Sequence, residues 1–310
     1  MASDDIPLVT IIATGGTIAS RKGSDGASIP DLEGQALLER LDGLPPVRLH
    51  VVDLFARDSS TLGLSEMQAV SDAVGVELAN PEVAGVVVLH GTDSIEETSL
   101  LVALQHGGER PIIFTGAQYT DDHPDADGPS NLTSAIREAL SGAGTKLVFG
   151  GRVMPVWGIY KHDTLGRDAF RPCTARSTDP TAWSLKPVTG LRVDLVAIHP
   201  GGDGTHVRAS LAAGARGIVL AALGSGNATA DVVAAVKQCT NAGVPVVVSS
   251  RVPTGRLSAT YGGGGGGHDL QAAGAIFSAF LRPGQARILL AALIADGQVS
   301  TRAKDLFATG

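Results

Sequence analysis

The sequence predicts an α/β fold of two domains, a larger N-terminal domain around a parallel sheet and a smaller C-terminal α/β domain. Three observations lead there. Apolar runs of strand length alternate with helical patterns, which is how a parallel sheet reads in sequence. The alternation stops once, at a polar stretch containing prolines, and 310 residues are enough for two hydrophobic cores. In order, the first strands are Leu8 to Ala13, Leu49 to Leu54, Val86 to His90, Pro111 to Thr115 and Lys146 to Phe149. Between them Leu64, Met67, Val70, Val74 and Leu78 keep a three-and-four spacing, and Leu132, Ile136 and Leu140 recur every fourth residue, so both segments are amphipathic helices. The nonperiodic stretch from Ser177 to Gly190 reads as the linker. A shorter series follows, with strands at Val193 to Ile198, Gly217 to Ala222 and Val244 to Ser249 and helices near Val207, Ala230 and Ala286. The expected division is therefore residues 1–180, a linker at 181–191, and residues 192–310. Six consecutive glycines, Gly262 to Gly267, are expected to form a mobile loop between Tyr261 and the helix near Asp269.

Composition narrows the function classes. A net charge of −7 without a basic stripe argues against nucleic acid, and a 4% aromatic share leaves no stacking platform for single strands. Cys173 and Cys239 stand far apart without zinc-site or CxxC spacing, so neither a disulfide framework nor a metal is expected. No apolar run approaches the roughly 20 residues of a membrane span. Met1 to Pro7 is acidic, with no positive n-region or apolar h-region, which sets the expectation of a cytoplasmic protein.

Two short runs carry the chemistry. Thr14-Gly15-Gly16-Thr17-Ile18 and His90-Gly91-Thr92-Asp93-Ser94 each follow a strand, placing threonine hydroxyls at strand ends, where open α/β sheets bind ligands. Glycines without Cβ let a ligand approach the backbone beside Thr14. A threonine hydroxyl is a poor nucleophile until a neighbour takes or biases its proton. The plain alternative for the first run is a βα turn with no catalytic duty. Asp93, Glu96 and Glu97 all suit the start of a helix, and for the two glutamates that role is preferred; Asp93 also suits a substrate ammonium. His90 reads as structural. Asp58-Ser59-Ser60-Thr61 offers hydroxyls and N–H groups for a carboxylate, or an ordinary helix cap. Lys161, after the apolar Val153 to Trp157, is either a surface lysine or a group that polarises a hydroxyl.

Taken together these segments resemble the bacterial-type L-asparaginase and glutaminase family, over most of the chain. The carriers are Ala13 to Ser20 (ATGGTIAS), Asp58 to Ser60 (DSS), His90 to Thr98 (HGTDSIEET), Thr115 to Gln118 (TGAQ), Ala126 to Leu132 (ADGPSNL), the Lys161 segment, Gly224 to Asn227 (GSGN) and Ser249 to Gly255 (SSRVPTG). The resemblance implies the two-domain asparaginase-like fold. It also implies hydrolysis of the side-chain amide of L-asparagine to L-aspartate and ammonia, with L-glutamine a poorer substrate. It gives Thr14 the nucleophile's role and makes Thr92, Asp93 and Lys161 a second triad. Ser59 and Ser60 would meet the α-carboxylate and α-amine end, Asp58 would fix their loop, and Asp93 would pair with the ammonium. Gly15, Gly91 and Ala117 would line the pocket, with Asn227 contributed by a partner subunit. Backbone N–H groups near Thr92, with a water, would hold the oxyanion. No cofactor or metal is implied, and a homodimer or homotetramer is.

Two departures from the family pattern stand out. Members carry a lid tyrosine after the first run, whereas Arg21 to Pro30 contains none and the tyrosines are Tyr119, Tyr160 and Tyr261. Type II members place a glutamate after SRVPTG, whereas Arg256 to Gly262 contains no acid. The pattern is closer to the cytoplasmic type I group, with weaker affinity for the amino acid expected. Two rival readings are an amino-acid-binding sensor without turnover and the amidase subunit of a tRNA-dependent amidotransferase. The second is disfavoured because such subunits carry a further domain before the segment that here holds Thr14.

Overall fold

A computed structural model describes residues 6–22, 28–30, 38, 41, 43–174, 183 and 186–309. The chain forms two compact units, one holding the described residues through Arg171 together with Trp183, the other Pro172–Thr174 and the described residues from Lys186 onward.

The first unit is built on a six-stranded sheet. Its strands are β1 (Leu8–Gly15), β4 (Arg48–Arg57), β5 (Val83–Leu89), β6 (Ile112–Thr115), β7 (Thr145–Phe149) and β8 (Arg152–Pro155), in the order β4-β1-β5-β6-β7-β8. All neighbours are parallel except the β7–β8 hairpin. Two short strands, β2 (Ser20–Lys22) and β3 (Ser28–Pro30), pair antiparallel where the lid is expected; residues 23–27 lie outside the described residues. The expected strands are present, four of the five slightly longer than their apolar runs while β6 starts one residue later, and His90 falls just beyond β5.

Both faces of this sheet are covered, which is why its central strands read as continuous apolar runs. Val9, Ile11 and Ala13 alternate toward Leu132, Ala135 and Ile136 of α3 (Gly128–Ser141), while Ile12, Val86, Val88 and Phe114 pack with Val70 and Val74 of α1 (Leu64–Ala79) and Val102 of α2 (Ile95–His106). Leu64, Met67, Val70 and Val74 are buried at their three-and-four spacing. Chain order matters for the site. From β1 the chain passes to β4 on one side and returns to β5 on the other, so β1 sits at the point where strand order reverses and a crevice opens beyond the carboxyl ends.

In the second unit β11 (Val193–Ala197), β12 (Gly217–Ala222), β13 (Val246–Ser250) and β14 (Ile276–Phe277) form a parallel sheet in sequence order. Its core joins Ile218, Leu220 and Val248 to Val207 of α4 (Thr205–Ala212) and Val232, Ala235 and Val236 of α5 (Ala230–Asn241). The glycine run makes specific hydrogen bonds. Gly264 and Gly266 donate N–H groups to Asp269 at 2.8 and 2.9 Å, the Gly265 carbonyl accepts from Ala228 at 2.8 Å, and Gly267 opens α6 (Gly267–Ala272). One carboxylate placed just after the run gathers N–H groups that glycine conformations expose, and this fixes the turn.

Candidate active site

Three strand ends converge. At the end of β1 Thr14 is 1% exposed and its hydroxyl donates to the Leu89 carbonyl at 2.8 Å. Gly15 and Gly16 have φ of +91° and +79°. A Cβ on Gly15 would lie 2.6 Å from the Arg57 nitrogen, and one on Gly16 would lie 2.5 Å from the Gly91 Cα. Only glycine allows this conformation and this approach of the β1 and β5 turns.

After β4, Asp58 caps the single 3-10 turn Ser59–Thr61 by accepting from the Ser60 N–H at 3.0 Å. Ser59 is buried and links this turn to the next: its Oγ accepts from the Asp93 N–H at 3.2 Å and its carbonyl from the Ser94 hydroxyl at 2.7 Å. Ser60 and Asp58 are exposed. A Cβ on Gly91 would meet the Ser59 Oγ at 2.4 Å, so the third turn also needs its glycine.

The third turn carries Thr92, nearly buried, and Asp93, whose side chain is 55% exposed. Lys161 reaches both from 68 and 69 residues away: its Nζ lies 2.8 Å from the Thr92 Oγ and 2.8 Å from an Asp93 carboxylate oxygen. Lys161 ends β9 (Ile159–Lys161), which pairs with β10 (Phe170–Pro172). Phe170 packs edge-on against Phe149 of β7 at 5.1 Å, anchoring this ribbon to the main sheet. The Lys161 side chain is 23% exposed.

Glu96 lies in the first turn of α2, as the sequence reading expects, and its carboxylate also accepts the Lys161 N–H at 2.7 Å and so ties β9 to α2. Burial pushes its pKa up to about 7 against the opposing backbone hydrogen bond from Lys161; Glu97 raises it further and the Lys161 charge lowers it. Two adjacent acids at a helix start gave no signal of this, because only the tertiary position of β9 separates one from the other.

Ala117, buried after β6, sits in a turn held by carboxylate contacts. The Gln118 and Tyr119 N–H groups donate to Asp127 at 3.0 Å, and the Asn131 amide donates to Asp127 and to the Gly116 carbonyl at 3.0 Å. The Tyr119 hydroxyl donates to the Leu165 carbonyl at 3.2 Å, Tyr160 is half-buried, and Tyr261 lies in the second unit, 63% exposed. Asn227 also belongs to the second unit, where its side-chain carbonyl accepts from Gly267 at 3.1 Å. Among the described residues no three His, Cys, Asp or Glu side chains gather as a metal-binding group. No helix among them is long and apolar enough to cross a membrane.

Beside the reversal point of a doubly covered parallel sheet, where Thr14 ends β1, the Lys161 Nζ contacts both the Thr92 hydroxyl and the Asp93 carboxylate beyond β5. The comparisons with known proteins place the chain among hydrolases. Sequence comparison gives the particular family. Residues 8–181 match the description "Asparaginase, N-terminal" and residues 192–307 match "Glutaminase/Asparaginase C-terminal domain". The chain belongs to the asparaginase family. It is 32% identical to a "Probable L-asparaginase" of Deinococcus radiodurans, over 98% of each chain. It is 29% identical to an "L-asparaginase" of Bacillus licheniformis, over 93% of this chain and 95% of that one. In fold it resembles a "Probable Cytoplasmic L-asparaginase" of Campylobacter jejuni, with a TM-score of 0.84 and 22% identity over 98% of this chain and all of the other.

Proposed function

We propose that this protein is an L-asparaginase that converts L-asparagine and water to L-aspartate and ammonia. The observation that carries the reading is the position of the Lys161 Nζ, 2.8 Å from both the Thr92 hydroxyl and the Asp93 carboxylate, in a chain that spans both halves of the family. Lys161 can accept or deliver a proton through Thr92 while Asp93 balances its charge. Asp93 keeps a second carboxylate oxygen for the substrate ammonium.

In this reading the Thr14 oxygen attacks the side-chain carboxamide carbon and its proton passes to the departing nitrogen, so that ammonia leaves and an acyl ester remains on Thr14. Water then attacks the ester, gives a proton to the Thr92–Lys161 pair, and Thr14 leaves with a proton to regenerate its hydroxyl. Neither acyl-transfer step calls for a metal or a cofactor. Ser59 and Ser60 receive the α-carboxylate end, Asp58 holds their turn, and Gly15, Gly91 and Ala117 form the wall. Asn227 acts from a neighbouring copy, which makes the working form a homodimer or homotetramer in the cytoplasm. L-Glutamine, one methylene longer, is turned over more slowly, by about 10- to 200-fold.

The test is ammonia release from L-asparagine, L-glutamine and D-asparagine by the protein and its Thr14→Ala variant. Release from L-asparagine that disappears in the variant is expected. No release from any of the three, with binding of L-asparagine retained, would establish a sensor instead.

A further inference from the structure

Lys161 carries its ammonium at the end of a long arm on a small ribbon. Its strand, β9, is three residues long and pairs with β10 outside the six-stranded sheet. The stem between the lysine backbone and its ammonium is flexible, so the head group is placed only if the main chain is placed first. The bonds that fix the rest of this segment lie beyond Lys161: the His162 N–H donates to the Ala169 carbonyl at 2.6 Å, the Gln118 amide donates to the Thr164 carbonyl at 2.6 Å, and Phe170 packs on Phe149.

One short segment holds Lys161 at both ends. Glu96 stands in the first turn of α2, shortly after Thr92 and Asp93, and its carboxylate accepts the Lys161 N–H at 2.7 Å. The Lys161 Nζ lies 2.8 Å from the Thr92 hydroxyl and 2.8 Å from the Asp93 carboxylate. This segment is itself fixed. The Ser94 hydroxyl donates to the Ser59 carbonyl at 2.7 Å, the Glu97 and Thr98 N–H groups donate to the Ser94 carbonyl at 3.1 and 3.0 Å, and Ile95 is fully buried. A shift of the ribbon that broke the Glu96 contact would leave the Lys161 N–H unpaired and draw Nζ away from the Thr92 hydroxyl.

Burial raises the Glu96 pKa to about 7 without removing the contact, because the carboxylate and the neutral acid both present an oxygen that accepts. Glutamine presents such an oxygen at the same reach. Methionine matches the length of the arm and offers no oxygen.

We infer that Glu96 is a positioning residue for the amide hydrolysis: it holds the main chain of Lys161 where the ammonium can meet Thr92 and Asp93 together. This role rests on the amide-hydrolysis reading of the site. Glu96 acts through Lys161 and leaves Ser59, Ser60 and Asp93 free to receive substrate, so its loss lowers kcat and leaves KM nearly unchanged.

The test compares Glu96→Met and Glu96→Gln in two backgrounds, wild type and Lys161→Met, with kcat and KM for L-asparagine and Tm measured for each. In the wild-type background Glu96→Met is expected to lose about 10- to 100-fold in kcat with KM within about threefold. Glu96→Gln is expected to stay within about threefold of wild type in both constants. In the Lys161→Met background Glu96→Met should cost less than about twofold more, because the residue it acts through is gone. A general structural role would instead lower kcat by the same factor in both backgrounds. Equal losses in the two backgrounds, a folded Glu96→Met protein with wild-type kcat, or a Glu96→Gln protein that loses as much as Glu96→Met at equal Tm overturns the assignment. Should Glu96→Met fail to fold, Glu96→Asp, whose arm is one methylene shorter, takes its place in both backgrounds with an expected loss of about 3- to 10-fold. Trace labelling of lysines with acetic anhydride, read by mass spectrometry, is independent of turnover. Lys161 should react slowly in the wild type and in Glu96→Gln and at least about threefold faster in Glu96→Met, where its ammonium is released from its two partners. Equal rates overturn the positioning role. Wild-type protein that releases no ammonia would overturn the amide-hydrolysis reading, and the labelling rates would still decide whether Glu96 places Lys161.

Discussion

Both units end parallel strands in buried hydroxyls, and they use them differently. Ser249, at the end of β13, donates to the Leu281 carbonyl at 2.8 Å, and Ser250 donates to the Gly224 carbonyl at 2.6 Å while accepting from the Val252 N–H at 3.0 Å. These bonds tie loops to a sheet. Thr14 on β1 looks the same in isolation, one buried hydroxyl on one carbonyl at 2.8 Å. The first unit differs three residues beyond β5, where the Lys161 Nζ meets both the Thr92 hydroxyl and the Asp93 carboxylate. A strand end in a parallel sheet supplies a place for chemistry, and ionisable groups brought in by another segment make use of it.

The comparison breaks most sharply where the charges are removed. Thr14→Ala is expected to lower ammonia release by about 10³-fold or more while L-asparagine still binds, as titration calorimetry would show. Lys161→Met should cost about 10²- to 10⁴-fold in kcat. Its Tm should move little, because an ion pair with a half-exposed Asp93 contributes about 0–1 kcal/mol. A Lys161→Met protein that keeps wild-type turnover would make the first unit's hydroxyls as inert as those of β13.

Next in size is the closeness of the turns. At Gly16 an alanine must adopt a φ of +79° and push its Cβ to within 2.5 Å of the Gly91 Cα. Gly16→Ala should therefore destabilise the protein by about 1–3 kcal/mol in urea unfolding and lower turnover with it. An unchanged urea midpoint would mean that the β1 and β5 turns do not depend on this contact.

How much of this was legible in sequence follows from the range of each interaction. Thr14 with its two glycines, and Thr92 with Asp93, are local: an apolar run sets the strand, and the residues just after it land at the crevice. The amphipathic spacing of α1 and α3 is local too. Lys161 could be singled out but not placed, because its partners are 68 and 69 residues distant. The Glu96 contact with the Lys161 N–H is hidden for the same reason, since the helix start explains an acid there without any partner. The contacts that Asp269 makes with Gly264 and Gly266 are not legible in the run itself, because Asp269 lies just outside it.

The Glu96 contact makes a pH prediction whose sign follows from its raised pKa of about 7. The folded state holds this proton more tightly than the unfolded chain, so the stability linked to it is full below the ordinary carboxylate range and falls as pH rises through about 7. Glu96→Gln keeps an acceptor for the Lys161 N–H and removes the titration. Between pH 5 and pH 8 the wild type should lose up to roughly 2–3 kcal/mol relative to the variant. Parallel Tm-against-pH curves for the two proteins would show that the carboxylate is not held in a desolvated place.

The smallest effect sharpens the comparison from the other side. Ser249 is fully buried and its hydroxyl donates to the Leu281 carbonyl, which also accepts from the Ser278 hydroxyl at 2.9 Å, so Ser249→Ala leaves that acceptor paired, removes one hydroxyl and creates little cavity. The expected cost is about 1 kcal/mol of stability. Turnover of L-asparagine should stay within about twofold, because the hydroxyl closes a loop and faces no ionisable partner. If Ser249→Ala instead lowered kcat as steeply as Thr14→Ala at unchanged Tm, the hydroxyls of the two sheets would share a catalytic duty. The distinction drawn from Lys161 and Asp93 would then fail.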